Sequence, residues 1–211
     1  MTTGEGGMIT TNDRHVAELC RSMRNQGRDT NGAWLRHVRL GYNYRLSELH
    51  AALGLAQLER IDSILASRAE VARRYSEFLS GQTQLQLLEN GPRMKRSWFV
   101  YVIRFRSDSP ASLRDRVRAF LSEKGIATQI YFTPIHQQPF YRKCLSGPVP
   151  SLPHTDQAGN ECLALPFQTR LGEMEIKFVC DAIDEALEPQ QAASTICHPA
   201  QSVSRRTIVE A

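Results

Sequence analysis

The sequence predicts a mixed α/β protein of the α+β type, in which helices cover a small sheet. Residues Trp98–Phe105 (WFVYVIRF) are rich in β-branched and aromatic side chains, which are typical of a strand. Ser47 begins a helical pattern that continues to about Leu79, and Glu173–Leu187 reads as a closing amphipathic helix. A long helical region followed by a mixed layer is therefore expected.

The N-terminal region combines a glycine-rich turn with one helix and a loop. Gly4–Gly7 (GEGG) is expected to form the turn. Asn12 is placed to cap a helix that Gly27 ends, with one apolar stripe at positions i, i+3, i+4 and i+7: Val16, Leu19, Cys20 and Met23. Residues 28–40 have no period and are expected to be loop.

The helical pattern after Ser47 is long for a chain of 211 residues. If continuous to Leu79, it would extend about 50 Å at 1.5 Å per residue. We therefore expect either a kink near Asp62–Ser63 or a helix that links two domains.

The mixed layer is expected to cover residues 96–188. Its helix at Leu113–Lys124 should turn Val117, Phe120 and Leu121 inward, and Gly125 should stop it. The other expected elements are strand Thr128–Phe132, a turn and short helix in Pro134–Leu145, helix Thr155–Leu163, strand Ala164–Phe167 and a loose tail over 189–211.

Composition points to a soluble globular chain, with 41% hydrophobic and 23% charged residues. No apolar run approaches the ~18 residues that a membrane span requires. The N-terminus MTTGEGGM lacks the basic and apolar regions of a signal peptide, so a cytoplasmic protein is expected.

The charge and the cysteine content of the chain do not indicate a specific function. The formal net charge is +4, and short basic clusters such as Arg73–Arg74 and Arg93–Arg96 read as solvated faces, so nucleic-acid binding is not favoured. The five cysteines form no CxxC pair, which favours reduced thiols over disulfides or a metal site.

Two segments carry candidate chemistry. Gly41–Arg45 (GYNYR) directly precedes the helix that Ser47 caps, and a helix start suits a phosphate; Asn43 and Arg45 could contact it. An aromatic clamp that fixes the loop is the alternative. His136 lies in PIHQQPFYR near Tyr131, and either binds a polar ligand or makes a structural hydrogen bond.

Several stretches, taken in order, resemble one family. They are MTTGEGGMITTND, RNQGR, LGYNYRLSELHAALGLAQLERID, IHQQPFYR and LALPF. Together they resemble the DegT/DnrJ/StrS sugar-nucleotide aminotransferases, which depend on pyridoxal 5'-phosphate (PLP). The resemblance implies the type I PLP-dependent transferase fold, that of aspartate aminotransferase, and a homodimer with its active site at the subunit interface. It implies transfer of an amino group from glutamate to a keto-deoxysugar nucleotide for polysaccharide or natural-product sugars.

The resemblance also assigns residues. Asn43 matches an asparagine that reaches across the dimer interface to the cofactor phosphate. Tyr44 and Arg45 match neighbours that shape the partner's site. Tyr131 and His136 match a strand and a loop that close over the sugar nucleotide. No metal ligands are implied.

One departure concerns the lysine that forms a Schiff base with PLP. In the family it precedes TTGEGG, which places it upstream of Met1, and none of the four lysines matches its context. We therefore expect a C-terminal portion of the enzyme that is inactive alone and needs its N-terminal half. The expected division is a large-domain remnant with the interface loop (1–46), a linking-helix region (47–95), a small α+β domain (96–188) and the tail (189–211).

Other functions stay open. A non-enzymatic dimerisation or regulatory module derived from the family is the alternative, and DNA binding is weaker because no helix-turn-helix is visible. Unpartnered apolar faces predict partial disorder or aggregation of residues 1 to about 60.

Overall fold

A computed structural model describes residues 1–29, 35–89, 91–106, 113–144 and 147–188. The helices of these ranges are α1 (Arg14–Met23), α2 (Glu48–Leu58), α3 (Ile61–Phe78), α4 (Leu113–Glu123), α5 (Pro139–Cys144), α6 (Pro153–Glu161) and α7 (Glu173–Leu187), with one 3-10 turn at Ile135–Gln137. The strands are β1 (Leu85–Gln86), β2 (Tyr101–Phe105), β3 (Gln129–Ile130) and β4 (Cys162–Leu165). The expected tail, 189–211, lies outside the described residues.

The strands form one antiparallel sheet in the order β1-β2-β4-β3. The predicted strand at Trp98–Phe105 starts only at Tyr101, because Trp98 has φ +46° and leaves the extended conformation. The predicted strand at Thr128–Phe132 shrinks to the two residues that pair with β4. Sequence patterns missed β1, since two residues show no alternation.

The bounds of helices α6 and α7 can be compared with those predicted from the sequence. Helix α7 has the predicted bounds, and its buried face includes the predicted Ile176, Val179 and Ile183. Helix α6 starts two residues before the predicted Thr155, because Pro153 fits the first helical position, where no N–H is needed. The following strand β4 is shifted by the same amount.

The first helix starts one residue later than the predicted cap implied. The Asp13 carboxylate, and not Asn12, accepts hydrogen bonds from the backbone N–H groups of His15 (2.8 Å) and Val16 (3.2 Å). Asp13 therefore satisfies two of the free donors at the start of α1.

The helical pattern from Ser47 to about Leu79 forms two helices, in line with the alternative of a kink and not with one continuous helix. Ser47 caps α2 as predicted, but the helix is interrupted between Leu58 and Ile61. Arg60 there has φ −110° and ψ 11°, and the Ser63 hydroxyl donates to its carbonyl oxygen at 2.8 Å. The break lies immediately before the Asp62–Ser63 position where a kink was expected.

The hydrophobic core lies between the sheet and helices α3, α4 and α7. Its buried residues begin at Val71 and end at Leu187, so they come from the C-terminal half of α3 onward. The rings of Tyr75 and Tyr101 stack in it at 4.9 Å, and the Tyr75 hydroxyl donates to the Pro166 carbonyl at 2.8 Å. This layer therefore has a core of its own.

The N-terminal helices, by contrast, expose apolar side chains. On α1, Val16 is 37% and Met23 43% exposed, and on α2, Leu49 is 83% and Leu55 63% exposed. Burying a leucine side chain is favourable by about 1.5–3 kcal/mol, so these faces favour a further packing partner. The disorder expected for residues 1 to about 60 stays a prediction.

Three expected absences concern the described ranges. Among the described residues, no helix is long and apolar enough to cross a bilayer. Their four cysteines are free thiols. The same residues contain no cluster of three or more side chains that could bind a metal ion.

Candidate cofactor-phosphate and substrate site

The motifs RNQGR and LGYNYR, which the sequence presents separately, form one structure. A Cβ atom on Gly41 would lie 2.1 Å from the backbone nitrogen of Gly27, and one on Gly27 would lie 1.8 Å from the Arg39 carbonyl oxygen. Only glycines permit such close approach of two backbones. The turn after α1 therefore holds the loop before α2.

Backbone hydrogen bonds fix the register of this contact. The Tyr42 N–H donates to the Met23 carbonyl, the Gln26 N–H to the Tyr42 carbonyl and the Tyr44 N–H to the Arg24 carbonyl, each at 2.8 Å. The rings of Tyr42 and Tyr44 stack at 5.1 Å with 14° between their planes. The aromatic clamp anticipated as one reading of GYNYR is thus present.

The clamp leaves Asn43 exposed between the two tyrosines. The Arg45 Nε–H donates to the Asn43 Oδ1 atom at 2.9 Å, which fixes the carboxamide and leaves its NH2 group as the donating end. Ser47 follows at the N-cap of α2, where its hydroxyl accepts from the His50 N–H at 3.3 Å. Clamp and phosphate contact are therefore compatible roles of one loop.

The N-terminal TTGEGG segment lies against the same helix. The Thr2 N–H donates to the Gln57 side-chain oxygen at 3.3 Å, and the Thr3 methyl group lies against the buried Gly54. The Gly4 N–H donates to the Thr2 hydroxyl at 3.1 Å, which agrees with a tight turn. Gly54, a glycine within an otherwise helical stretch, is the feature of the sequence that could have indicated this close contact with Thr3.

His136 is held by a carboxylate that the sequence analysis did not single out. Its Nε2 atom lies 2.8 Å from the Asp156 Oδ1 atom, which also accepts from the Gln137 side-chain amide. Only 9% of the His136 side chain is exposed, against 35% for Asp156. This geometry favours the structural reading of His136, in which it joins the 3-10 turn to α6.

Tyr131 lies in an exposed aromatic group. Its ring centroid is 4.5 Å from that of Phe132 and 6.5 Å from that of Phe99, and both phenylalanines are more than two-thirds exposed. Pro134 packs on Gly159 of α6, where any Cβ would lie 2.8 Å from the proline ring. The loop that carries His136 is thus seated firmly, while the rings of Phe99 and Phe132 are exposed beside the half-buried Tyr131.

The two groups of predicted site residues are not joined to each other. Asn43, Tyr44 and Arg45 share no hydrogen bond, ion pair or ring contact with Tyr131 or His136 among the described residues. Each group is built by its own local contacts.

The four lysines are not placed like a nucleophile. Lys124 pairs with Glu185, and Lys177 pairs with Asp181 at 2.7 Å, which raises the pKa of Lys177. A nucleophilic lysine requires the opposite shift, toward a neutral amine. Lys95 and Lys143 are exposed.

Comparison with known proteins assigns the chain to a family. Residues 1–184 match the DegT/DnrJ/EryC1/StrS aminotransferase family, and the chain belongs to that family. The family predicted from the motifs is confirmed. The predicted mixed α/β fold is confirmed as well, because the structure has a small antiparallel sheet and resembles solved structures that include an aminotransferase.

Individual relatives refine this likeness. The chain is 35% identical over 191 residues to GDP-perosamine synthase of Caulobacter vibrioides, covering 89% of the chain and 49% of the relative. It is 34% identical to the pleiotropic regulatory protein of Geobacillus stearothermophilus, covering 86% and 47%.

Two solved structures share the fold. DesV of S. venezuelae superposes with a TM-score of 0.74 at 29% identity, covering 85% of this chain and 46% of that one. The aminotransferase TlmJ of Streptoalloteichus hindustanus gives 0.76 at 27%, covering 88% and 48%. The chain thus spans about half the length of the relatives it matches.

Proposed function

We propose that this chain provides part of a PLP-dependent aminotransferase that moves an amino group from glutamate to a keto-deoxysugar nucleotide. The family match over residues 1–184 carries the proposal, and the name GDP-perosamine synthase among the relatives supports a nucleotide-linked sugar. The division at residues 46, 95 and 188 and a cytoplasmic location are part of the same proposal.

The described residues fit one end of PLP and not the other. The exposed Asn43 amide and the Arg45 guanidinium, beside the start of α2, suit a phosphate dianion. The covalent attachment to a lysine is not supplied by any of the four present. When bound, PLP supplies an electron sink for the carbon that exchanges its amino group.

The roles of the loop residues follow from the clamp. Asn43 donates to a phosphate oxygen, and Arg45 holds the Asn43 carboxamide while adding positive charge. Tyr44, which is 72% exposed and stacked on Tyr42, presents its ring as one wall for the substrate. Because the turn after α1 fixes this loop, the donors are oriented before the ligand arrives.

Tyr131 and His136 act on the sugar-nucleotide side. The half-buried ring of Tyr131, together with the exposed ring of Phe132, offers a surface for a base or sugar, in line with the stacking that aromatic rings favour. His136 contributes indirectly: its contact with Asp156 holds the loop between Tyr131 and α5 in place.

A second copy of the chain, or the N-terminal half of the enzyme, is the proposed partner for the exposed apolar faces. Leu49, Leu55 and Tyr44 lie on or next to α2, beside the loop that carries Asn43. A partner that covers α2 would place Asn43 at the edge of the interface. Sedimentation of Leu49→Asp against wild type measures this contact: a lighter species is expected for the variant.

The 211-residue polypeptide by itself is proposed to lack transaminase activity. The purified chain is incubated with PLP, glutamate and a keto-sugar nucleotide, then reduced with borohydride and digested. We expect no turnover and no pyridoxyl group on a specific lysine peptide. Stoichiometric labelling of one lysine together with turnover refutes this part.

The phosphate role of Asn43 is tested where PLP can bind. The half of the Caulobacter relative that this chain matches is replaced by this chain, and the Kd for PLP is measured. Asn43→Ala should weaken binding about tenfold, because one hydrogen bond to a charged group is lost. Asn12→Ala is the matched control, since Asn12 is exposed and caps no helix. Equal Kd values for both variants contradict the assignment.

A second candidate function is a non-enzymatic dimerisation or regulatory module. The relative named pleiotropic regulatory protein favours it specifically. It predicts a chain that self-associates through α2 yet gives an inactive chimera. An active chimera would support the aminotransferase function and contradict the regulatory module.

A further inference from the structure

A groove lies at the end of the small sheet, between the α3–β1 connection and the end of β2. Its volume is about 590 Å³, and residues 79–83 and 85–89 form one wall. Three arginines line the other side: Arg96, Arg104 and Arg106. Its volume lies within the range of small-molecule sites, roughly 300–1,000 Å³.

Arg96 is held in place but keeps an unused donor. Its terminal NH2 group donates to the Glu89 carbonyl oxygen at 3.0 Å, and its guanidinium lies 5.5 Å above the centroid of the Trp98 ring. Its Nε atom is buried and has no hydrogen-bond partner among the residues that the structure describes. A buried donor of this kind requires an acceptor, and a bound ligand would provide one.

The other two arginines leave the groove positive. Arg104 pairs with Glu161 at 2.7 Å, whereas no described carboxylate pairs with the exposed Arg106. Glu89 is the acidic residue among the lining residues. Even with Glu161 counted beside Glu89, three guanidinium groups are therefore set against two carboxylates.

We propose that this groove binds a small ligand bearing a diphosphate. Guanidinium groups match phosphate oxygens in bidentate geometry and keep their charge at every physiological pH. Strand β1 pairs over only two residues, which is too short to template an added peptide strand, so a compact anion fits better than an acidic peptide. The groove shares no residue with the GYNYR loop or with the loop of His136, and it does not rest on the proposed transamination.

Trp98 offers a direct readout of binding. The sequence has two tryptophans, so Trp34→Phe leaves Trp98 as the single reporter beneath Arg96. The 211-residue chain with this change is titrated with pyrophosphate, and tryptophan emission and calorimetry are recorded. We expect saturable binding, with the Kd raised at least about tenfold in Arg96→Gln/Arg106→Gln. Arg116→Gln, an exposed arginine of α4 outside the groove, should stay within about twofold.

The outcomes separate the proposal from its competitors. Weaker binding of orthophosphate than of pyrophosphate supports the diphosphate class. No saturable signal up to about 10 mM pyrophosphate overturns the site, as does an unchanged Kd in the double variant. Tighter binding of a hexa-aspartate peptide overturns the choice of ligand. Circular dichroism checks the fold, and the two single variants replace the double variant if it unfolds.

Discussion

A methyl group on Gly41 should release the loop that carries Asn43. In Gly41→Ala the new Cβ would lie 2.1 Å from the Gly27 nitrogen and 2.7 Å from the Met23 carbonyl oxygen, and both are backbone atoms that cannot rotate away. The three backbone hydrogen bonds that join the loop to the turn after α1 would be lost. At about 1 kcal/mol each, their loss amounts to about 3 kcal/mol of local stability.

Amide hydrogen exchange measures this loss directly. A change of about 3 kcal/mol corresponds to roughly 100-fold faster exchange of the Tyr42 and Tyr44 amides. Gly7→Ala is the matched control, because a Cβ at Gly7 meets no atom within 4 Å, and its exchange rates should stay at the wild-type values. Unchanged exchange in Gly41→Ala would show that the close contact of Gly41 with Gly27 does not hold the loop in place.

Three further predictions concern the small α+β layer. Tyr75→Phe should lower the free energy of unfolding by about 1–3 kcal/mol in urea titrations, because the Pro166 carbonyl loses its hydrogen-bond donor; an unchanged midpoint would contradict this. Burial raises the pKa of Cys180 from 9.0 to about 12, so stability should fall as pH rises through that range, where only the unfolded thiol ionises, and the fall should be shallower in Cys180→Ala. Asp156→Asn should accelerate amide exchange in the 3-10 turn of His136 about tenfold, because the contact between Asp156 and His136 is weakened. Equal exchange rates would show that the Asp156 carboxylate does not stabilise this turn.

The periodic pattern of α7 was predictable from the sequence because one face of this helix is buried in the core. Helix α7 has the predicted bounds, and Ser47 caps α2 as expected. The break before Ile61 lies near the kink expected at Asp62–Ser63, but it depends on the non-helical backbone of Arg60 and not on a proline or glycine that would mark its position. Strand β1 was missed because two residues carry no periodic signal.

The candidate site was predictable in its residues but not in its contacts. The motif GYNYR and the position of Asn43 before a helix are visible in the sequence. The docking of Gly41 on Gly27 is not, because it joins segments that are fourteen positions apart through backbone atoms alone. Likewise, the carboxylate that holds His136 lies on α6, and no local pattern links the two residues.

Whether this chain supplies a working part of a sugar aminotransferase is tested most directly with the chimera that carries it in the matched half of the Caulobacter relative. The quantity to measure is glutamate-dependent transamination. We expect turnover of a keto-sugar nucleotide by the chimera and none by the 211-residue chain alone. A chimera that folds and binds PLP but transfers no amino group would contradict the claim that this chain supplies a working part of a sugar aminotransferase.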